Sequence, residues 1–289
     1  MKRIADPFNS WECLVQTIDV GGRVRTFTLV TPPGGEFARL LLVFHGSTQR
    51  GEVFRKFTGN AFDEIAGTAV AYLDGFRGNW NDARKGSRFP ARVHDIDDVA
   101  FAEAVVKRVA DGRETYAAGY SNGGGMVIRL LHERPDLIAG AAIVAAQQPM
   151  PDNLLVPGLP VVPKPVVIFH GTKDRIVPYQ GGEMAHWAQL AFRVGGGMLS
   201  APETAAYFAG RNGITTAPVE TALPRRSGPP VTRIDHRQDG CAPVTLYAVH
   251  GGGHTVPGPK ASPVLMGRTA TDVLTVPAMV DFFAFTVLS

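Results

Sequence analysis

The chain has 289 residues, with 33 glycines and 22 prolines, so many turns and loops are expected. Hydrophobic residues make up 45% and charged residues 19%, a globular balance that excludes an intrinsically disordered chain. The net charge is only +3 and the basic residues are scattered, so no nucleic-acid partner is indicated. No run of about 18 apolar residues is present, so we expect neither a membrane-spanning helix nor a membrane partner.

The N-terminal segment and the cysteines bear on the cellular compartment. Met1-Lys2-Arg3 resembles the charged start of a signal peptide, but polar residues interrupt the region where its apolar core should follow. The two cysteines, Cys13 and Cys241, form neither a CxxC motif nor a disulfide-rich pattern. We therefore expect a cytoplasmic protein with reduced thiols.

The apolar pattern predicts an antiparallel hairpin followed by alternating strands and helices. Residues 14–20 and 24–31, joined by Gly21-Gly22, form the predicted hairpin. Six apolar runs follow, each typical of a buried parallel strand: 40–44, 68–72, 115–118, 141–145, 166–169 and 244–249. Helical patterns cover four segments: 98–110, 123–132, 202–209 and 276–287. This order predicts an α/β fold, with helices on both faces of a mostly parallel central sheet.

Two long connections, residues 149–165 and 217–230, are rich in proline and glycine. Neither connection divides the predicted strands and helices into two groups that could each form a separate domain. We interpret both as surface excursions, so residues 1–289 are predicted to form a single domain.

A nucleophile motif lies between a predicted strand and a predicted helix. Gly119-Tyr120-Ser121-Asn122-Gly123 fits GxSxG, in which a serine stands on a sharp strand-to-helix turn. The flanking glycines relieve crowding between strand and helix, and the helix N-terminus favours developing negative charge. The setting predicts Ser121 as a catalytic nucleophile, and the alternative is a glycine-rich turn with an incidental serine.

A serine alcohol needs a base, and the base needs a carboxylate to orient it. In α/β-hydrolases these residues follow the serine in the order carboxylate, then histidine. His254 lies in a glycine-rich loop after the last predicted strand and is the predicted base, with His250 as the alternative. Asp174 follows the strand before it and is the predicted acid, the alternative being a turn aspartate.

Acyl transfer also requires two backbone N–H groups that stabilise an oxyanion. We assign these to Asn122, which follows the nucleophile, and to Ser47 in the loop after the first parallel strand. A structural turn is the alternative for the Ser47 loop. No HExxH, Walker A or dinucleotide-binding pattern is present, so no metal and no cofactor is implied.

Five blocks in the chain resemble the α/β-hydrolase esterases grouped as polyhydroxybutyrate depolymerase-like, which include feruloyl and acetylxylan esterases. They span nearly the whole chain: 44–49, 74–82, 119–124, 170–179 and 251–258. The resemblance implies a serine carboxylic ester hydrolase with Ser121, Asp174 and His254 in the catalytic roles. It also implies that Trp80 lies beside the substrate cleft, with structural packing as the competing role.

Three departures from the family pattern are notable. Ser47 stands where many relatives carry cysteine, but only its backbone amide is needed. Val256 replaces a usual tryptophan after the catalytic histidine and alters the expected pocket wall. Ile214 replaces a cysteine that often pairs with the one matched by Cys241, which again favours a reducing compartment.

The expected substrate is a small-molecule or oligomeric ester. An extracellular polymer is less favoured because the chain shows no signal peptide. A peptidase on the same fold and a non-catalytic binding protein remain as alternatives, while the oligomeric state is left open.

Overall fold

The computed structural model describes residues 11–192 and 194–285. The segment considered as a signal peptide start, residues 1–3, lies outside the described residues. Residues 286–287, the end of the last predicted helix, lie outside them as well.

Ten strands form one continuous sheet. They are β1 (Glu12–Val20), β2 (Arg23–Thr31), β3 (Arg39–Phe44), β4 (Thr68–Leu73), β5 (Glu114–Tyr120), β6 (Gly140–Val144), β7 (Val166–Gly171), β8 (Val219–Ala222), β9 (Val231–His236) and β10 (Val244–Val249). Their order across the sheet is β1-β2-β4-β3-β5-β6-β7-β10-β9-β8. The six central strands are parallel, and antiparallel pairs flank them at both edges. This is the α/β architecture predicted from the sequence.

Seven α-helices are described. They are α1 (Gly51–Phe57), α2 (Pro90–Val93), α3 (Asp98–Val109), α4 (Asn122–Glu133), α5 (His186–Phe192), α6 (Ala201–Arg211) and α7 (Thr275–Phe282). Three short 3-10 turns cover Ala61–Glu64, Pro135–Leu137 and Val264–Met266.

Alternating side chains divide the sheet into two apolar faces. In β3, Leu40 and Leu42 belong to one buried cluster, together with residues of α3, α4 and α6. Leu41 and Val43 belong to the opposite cluster, with residues of α1 and α7. The continuous apolar runs of the central strands therefore follow from burial on both sides, as expected of a parallel sheet.

The register of the parallel strands brings their carboxyl ends to one edge. Phe44 at the end of β3 pairs with Leu73 of β4 and with Gly119 of β5. Val249 at the end of β10 pairs with Gly171 of β7. The loops that follow these strands therefore leave the sheet at the same level, where an open α/β sheet places its ligands.

The two strands β8 and β9 were not expected from the sequence. All four residues of β8 are exposed, and β9 carries charged residues, so neither has the apolar pattern of a buried strand. They pair with each other and with β10 as an antiparallel edge, whose formation depends on a partner strand distant in sequence. The short helices α1, α2 and α5 were also missed, because four to seven residues give little periodic signal.

Among the described residues no helix is long and apolar enough to cross a membrane. No disulfide bond is present in the same part of the chain. Cys13 is buried in edge strand β1, whereas Cys241 lies just before β10 toward the other edge of the sheet.

A buried ion pair joins the N-terminal hairpin to the start of α3. The Arg25 guanidinium donates to Asp98 Oδ1 at 2.7 Å, and the backbone N–H of Asn81 donates to the other oxygen at 2.7 Å. Asp98 is fully buried. Its neighbour Asp97 instead caps the helix, accepting from the Ala100 N–H at 2.8 Å.

These two adjacent aspartates provide a matched stability test. Asp98→Ala would leave a buried guanidinium without its counterion, so we expect the free energy of unfolding to fall by about 3–5 kcal/mol. Asp97→Ala removes a helix cap and should cost only about 1 kcal/mol. Urea denaturation of both variants measures the difference, and equal losses would contradict the assigned role of the ion pair.

Candidate active site

The nucleophile candidate stands on a strained turn between β5 and α4. Ser121 has φ 54° and ψ −119°, a conformation that non-glycine residues rarely adopt. A Cβ on Gly123 would overlap the carbonyl oxygen of Phe44, and a Cβ on Gly119 would overlap that of Gly123. The two glycines of the motif therefore permit the close approach of helix and sheet that holds the serine in place.

Ser121, His254 and Asp174, which the sequence analysis singled out, form one hydrogen-bonded line. Ser121 Oγ lies 2.9 Å from His254 Nε2. His254 Nδ1 lies 2.7 Å from Asp174 Oδ2. The three residues follow the ends of β5, β10 and β7. Along the chain, His254 is 133 positions from Ser121 and 80 positions from Asp174.

The surroundings of Asp174 keep its carboxylate ionised. Burial alone would raise its pKa, but the contacts with His254 and the neighbouring backbone outweigh burial and hold the pKa below its ordinary value. Asp174 Oδ1 accepts from the N–H groups of Ile176 and Val177 at 2.8 and 2.9 Å. An ionised carboxylate only accepts, so His254 Nδ1 donates to Asp174, and Nε2 is the ring nitrogen that faces Ser121.

The histidine loop is bonded to the aspartate loop. Lys173 N–H donates to the Gly252 carbonyl at 2.8 Å, and Gly251 N–H donates to Thr172 Oγ1 at 2.8 Å. The Tyr120 hydroxyl, beside the nucleophile, donates to the His254 carbonyl at 2.8 Å. These bonds fix the imidazole relative to both of its partners.

His250, the alternative base, lies elsewhere. It is exposed, and its Nε2 lies 2.8 Å from Thr232 Oγ1 on the neighbouring strand β9. His254 is the histidine that contacts Ser121.

The loop after β3 is held by side chains that the sequence analysis did not single out. His45 Nδ1 donates to the Gly46 carbonyl at 2.7 Å, and its Nε2 accepts from Gly75 N–H at 2.9 Å. Gln49 Oε1 accepts from Gly46 N–H at 3.1 Å. Ser47 lies between these fixed points and lines the same cavity as Ser121.

Asn122 is clamped by its side chain. Its Oδ1 accepts from Trp80 N–H at 2.8 Å, and its Nδ2 donates to Asp82 Oδ2 at 2.6 Å. Asp82 in turn forms a salt bridge with Arg84. The clamp holds the start of α4, and with it the backbone N–H of the residue that follows Ser121.

Trp80 does not line the cavity, and the expectation that it binds substrate is wrong. Its side chain is fully buried, with the indole N–H donating to the His45 carbonyl at 2.9 Å. The ring packs edge-on against Phe44, with 5.1 Å between centroids, and also contacts the His45 ring. The loop carrying Trp80 reaches the catalytic edge as expected, but the indole points beneath the site and supports the His45 loop.

A cavity of about 340 Å³ opens beside Ser121 and His254. Its lining is mainly apolar and aromatic, with Phe57, Phe89, Ile176, Met184 and Met198 among the contributors. A volume at the lower end of the range for ligand pockets favours a small substrate. Within the described residues, no cluster of three or more histidine, cysteine or acidic side chains could hold a metal ion.

Comparisons with known proteins agree with this architecture. No family model matches the chain. The chain is 32% identical over 281 residues to "Putative esterase NocK" of Nocardia uniformis subsp. tsuyamanensis, spanning 91% of this chain and 80% of that protein. It is 28% identical over 235 residues to "Feruloyl esterase B" of Piromyces equi, spanning 76% of this chain but 40% of that longer protein. The solved acetyl xylan esterase from Aspergillus awamori matches 94% of this chain and 100% of its own, with a TM-score of 0.57 at 14% identity, a likeness of fold.

The fold and the relatives together define the class: an α/β-hydrolase that acts as a carboxylic ester hydrolase. Within that class, the chain belongs to the esterase family that includes the Nocardia protein. The fold and family predicted from the sequence are confirmed.

The buried position of Trp80 leads to a prediction. Trp80→Phe keeps an aromatic ring but removes the N–H donor from the buried His45 carbonyl, so the free energy of unfolding should fall by about 1–3 kcal/mol. Because the ring does not line the cavity, kcat/KM should change by the same factor for acetyl and hydroxycinnamoyl esters. Urea denaturation and a two-substrate assay measure both effects, and a loss confined to the aromatic ester would restore the binding role.

His45 leads to a prediction about pH. Burial lowers its pKa from 6.5 to about 4, an effect only partly offset by the bond to Gly46. Between pH 6.5 and about pH 4, His45 is therefore protonated in the unfolded chain but mostly neutral in the folded protein. Stability should therefore fall as the pH drops through this window, by about 1.4 kcal/mol per unit from this residue.

The matched comparison is His45→Gln, whose side chain does not titrate. Urea denaturation at pH 7, 6 and 5 should give a smaller pH slope in this variant, with a difference that grows toward one proton as the pH approaches 5. Identical slopes in the two proteins would mean that His45 is protonated in the folded state.

Proposed function

We propose that this protein is a serine esterase that works through an acyl-enzyme intermediate, with Ser121 as nucleophile, His254 as general base and Asp174 as the orienting acid. The observation that carries the proposal is the unbroken hydrogen-bonded line from Ser121 Oγ through the imidazole to Asp174 Oδ2. Its geometry matches what nucleophilic catalysis by a serine alcohol requires.

In the acylation step, Ser121 Oγ attacks the ester carbonyl carbon while its proton passes to His254 Nε2. The tetrahedral intermediate then collapses, the bond to the alcohol oxygen breaks, and His254 returns the proton to the leaving alcohol. A water molecule next attacks the acyl-serine and gives a proton to His254. The carboxylic acid leaves as Ser121 regains that proton. Asp174 stabilises the imidazolium formed in each half of the cycle.

The oxyanion is assigned to the backbone N–H groups of Ser47 and Asn122. Both residues line the cavity with Ser121. Gln49 accepts from the N–H of Gly46, the residue before Ser47, and Asp82 accepts from the Asn122 side chain, so both segments are restrained. Donors that are fixed before the charge develops need no reorganisation during the reaction, which is the basis of oxyanion stabilisation.

The substrate class follows from the cavity and the family resemblance. A small, mainly apolar cavity favours a small ester or the end of an oligomer, with feruloyl-type and hydroxybutyrate esters as the leading candidates. We also propose that residues 1–289 make up one catalytic domain, since all ten strands described belong to one sheet. The cytoplasmic location stays a prediction.

The central test is Ser121→Ala. Loss of the nucleophile should lower kcat for an aryl ester by about 10⁴–10⁶-fold, with little change in the unfolding midpoint. The wild-type protein should be labelled covalently by a fluorophosphonate, and the variant should not be. Near-normal hydrolysis by the variant would rule out this serine.

Two histidine variants provide the control for the base. His254→Ala should be as severe as loss of the serine, because the two act as a unit. His250→Ala should leave the rate within a few-fold, since that side chain is exposed and contacts Thr232. The reverse ranking would move the base to His250, and hydrolysis of amides faster than esters would favour a peptidase.

A further inference from the structure

A basic loop forms part of the cavity wall and has no part in the proposed chemistry. Residues 84–92 contain four cationic side chains and no acidic one. Arg84 and Phe89 line the cavity beside Ser121, while Lys85 and Arg88 are exposed. Among the described residues that line this cavity, Arg84 is the one with a permanent charge, and none is acidic.

The two edges of the Arg84 guanidinium have different partners. Nε donates to Asp82 at 3.1 and 3.2 Å, and Nη2 donates to Asp82 Oδ2. Nη1 instead lies 3.7 Å from the Met184 sulfur, which is a weak acceptor. The ion pair therefore accounts for one edge of the guanidinium and leaves Nη1 with hydrogen-bonding capacity in the cavity.

The Asp82 carboxylate is not free to rotate and accept from Nη1 as well, because both of its oxygens already accept hydrogen bonds from other donors. Oδ2 accepts from Asn122 Nδ2 at 2.6 Å, and Oδ1 accepts from the Arg84 backbone N–H at 3.0 Å. Asp82 is also fully buried. The carboxylate thus holds Arg84 in place without covering the edge that faces Met184.

The position of Arg84 suits it to contact a substrate. Through Asp82, its guanidinium is two hydrogen bonds from Asn122, the residue after the nucleophile. Arg84 is 8% exposed and lies among apolar side chains, including Phe89 and Met184. In such surroundings a charge-assisted hydrogen bond is stronger than at an open surface.

We propose that the cavity accepts an anionic ester, in which a carboxylate on the acyl or alcohol portion binds the Nη1 edge of Arg84. The inference rests on the proposed function and adds the class of substrate. The small cavity implies a short spacer between the ester and the carboxylate.

Two pairs of esters test the proposal, each differing in one terminal group. The acyl-side pair is the monoanion of monomethyl adipate and methyl hexanoate, in which a methyl group replaces the carboxylate. The alcohol-side pair is 4-acetoxybutanoate and butyl acetate. In at least one pair, wild-type kcat/KM should favour the anion by about tenfold or more, as expected of a charged hydrogen bond in a shielded site. The pair that shows the preference identifies the side that carries the carboxylate.

The variants test whether Arg84 is the source of this preference. Arg84→Met should abolish it. Because this change leaves Asp82 buried without a counterion, the double variant Asp82→Asn with Arg84→Met removes both charges together and should lose the preference as well. Lys85→Met removes an exposed charge from the same loop, and should keep the anion-to-neutral ratio within about twofold of wild type.

The outcomes separate this proposal from the proposed function. Wild-type hydrolysis of the neutral esters that is lost in Ser121→Ala supports the serine mechanism regardless of the anion preference. Faster wild-type hydrolysis of the neutral member in both pairs would overturn the anionic-ester proposal without any variant. A preference that persists in both Arg84 variants would also overturn it.

Discussion

The close approach of α4 to the end of β3 is the constraint on which the site depends. Gly123 lies so near the Phe44 carbonyl that no side chain fits between them. This contact holds Ser121 in its unusual backbone conformation, with φ 54° and ψ −119°. Such a strained turn persists only where the surrounding structure holds it, and here β5, which leads into Ser121, is paired on both sides, with β3 and β6. The position of Ser121, the proposed nucleophile, therefore depends on how closely α4 packs against the sheet.

Two buried carboxylates then organise the two sides of the cavity. Asp174 orients the imidazole of His254, while Asp82 joins Asn122 to Arg84. Each of these carboxylates is satisfied by several donors, which offsets the cost of burying its charge. The first arrangement serves proton transfer in the proposed mechanism. The second holds Asn122, which follows Ser121, and places the Arg84 guanidinium at the cavity.

Trp80 shows how a residue can lie in a loop beside the candidate site without lining its cavity. The sequence places its loop after the strand ending at Leu73, and therefore at the catalytic edge. Which way the indole turns depends on the His45 carbonyl, which lies 35 positions earlier in the chain. Hydrogen bonding and ring packing against this distant loop draw the side chain inward. Sequence position alone could not distinguish this supporting role from recognition.

The parallel core, the leading hairpin and the candidate residues Ser121, Asp174 and His254 can all be predicted from the amino-acid sequence. These features leave local signals: apolar runs, a glycine-flanked serine, and polar residues directly after buried strands. The edge strands β8 and β9, the burial of Trp80 and the contacts of Arg84 become visible only in the folded chain. Each of these depends on partners far apart in the chain, whose distances are set by strand register and helix packing. A sequence pattern does not show which distant group is the partner in a given hydrogen bond. The residues that form the cavity wall could therefore be identified only from the folded structure.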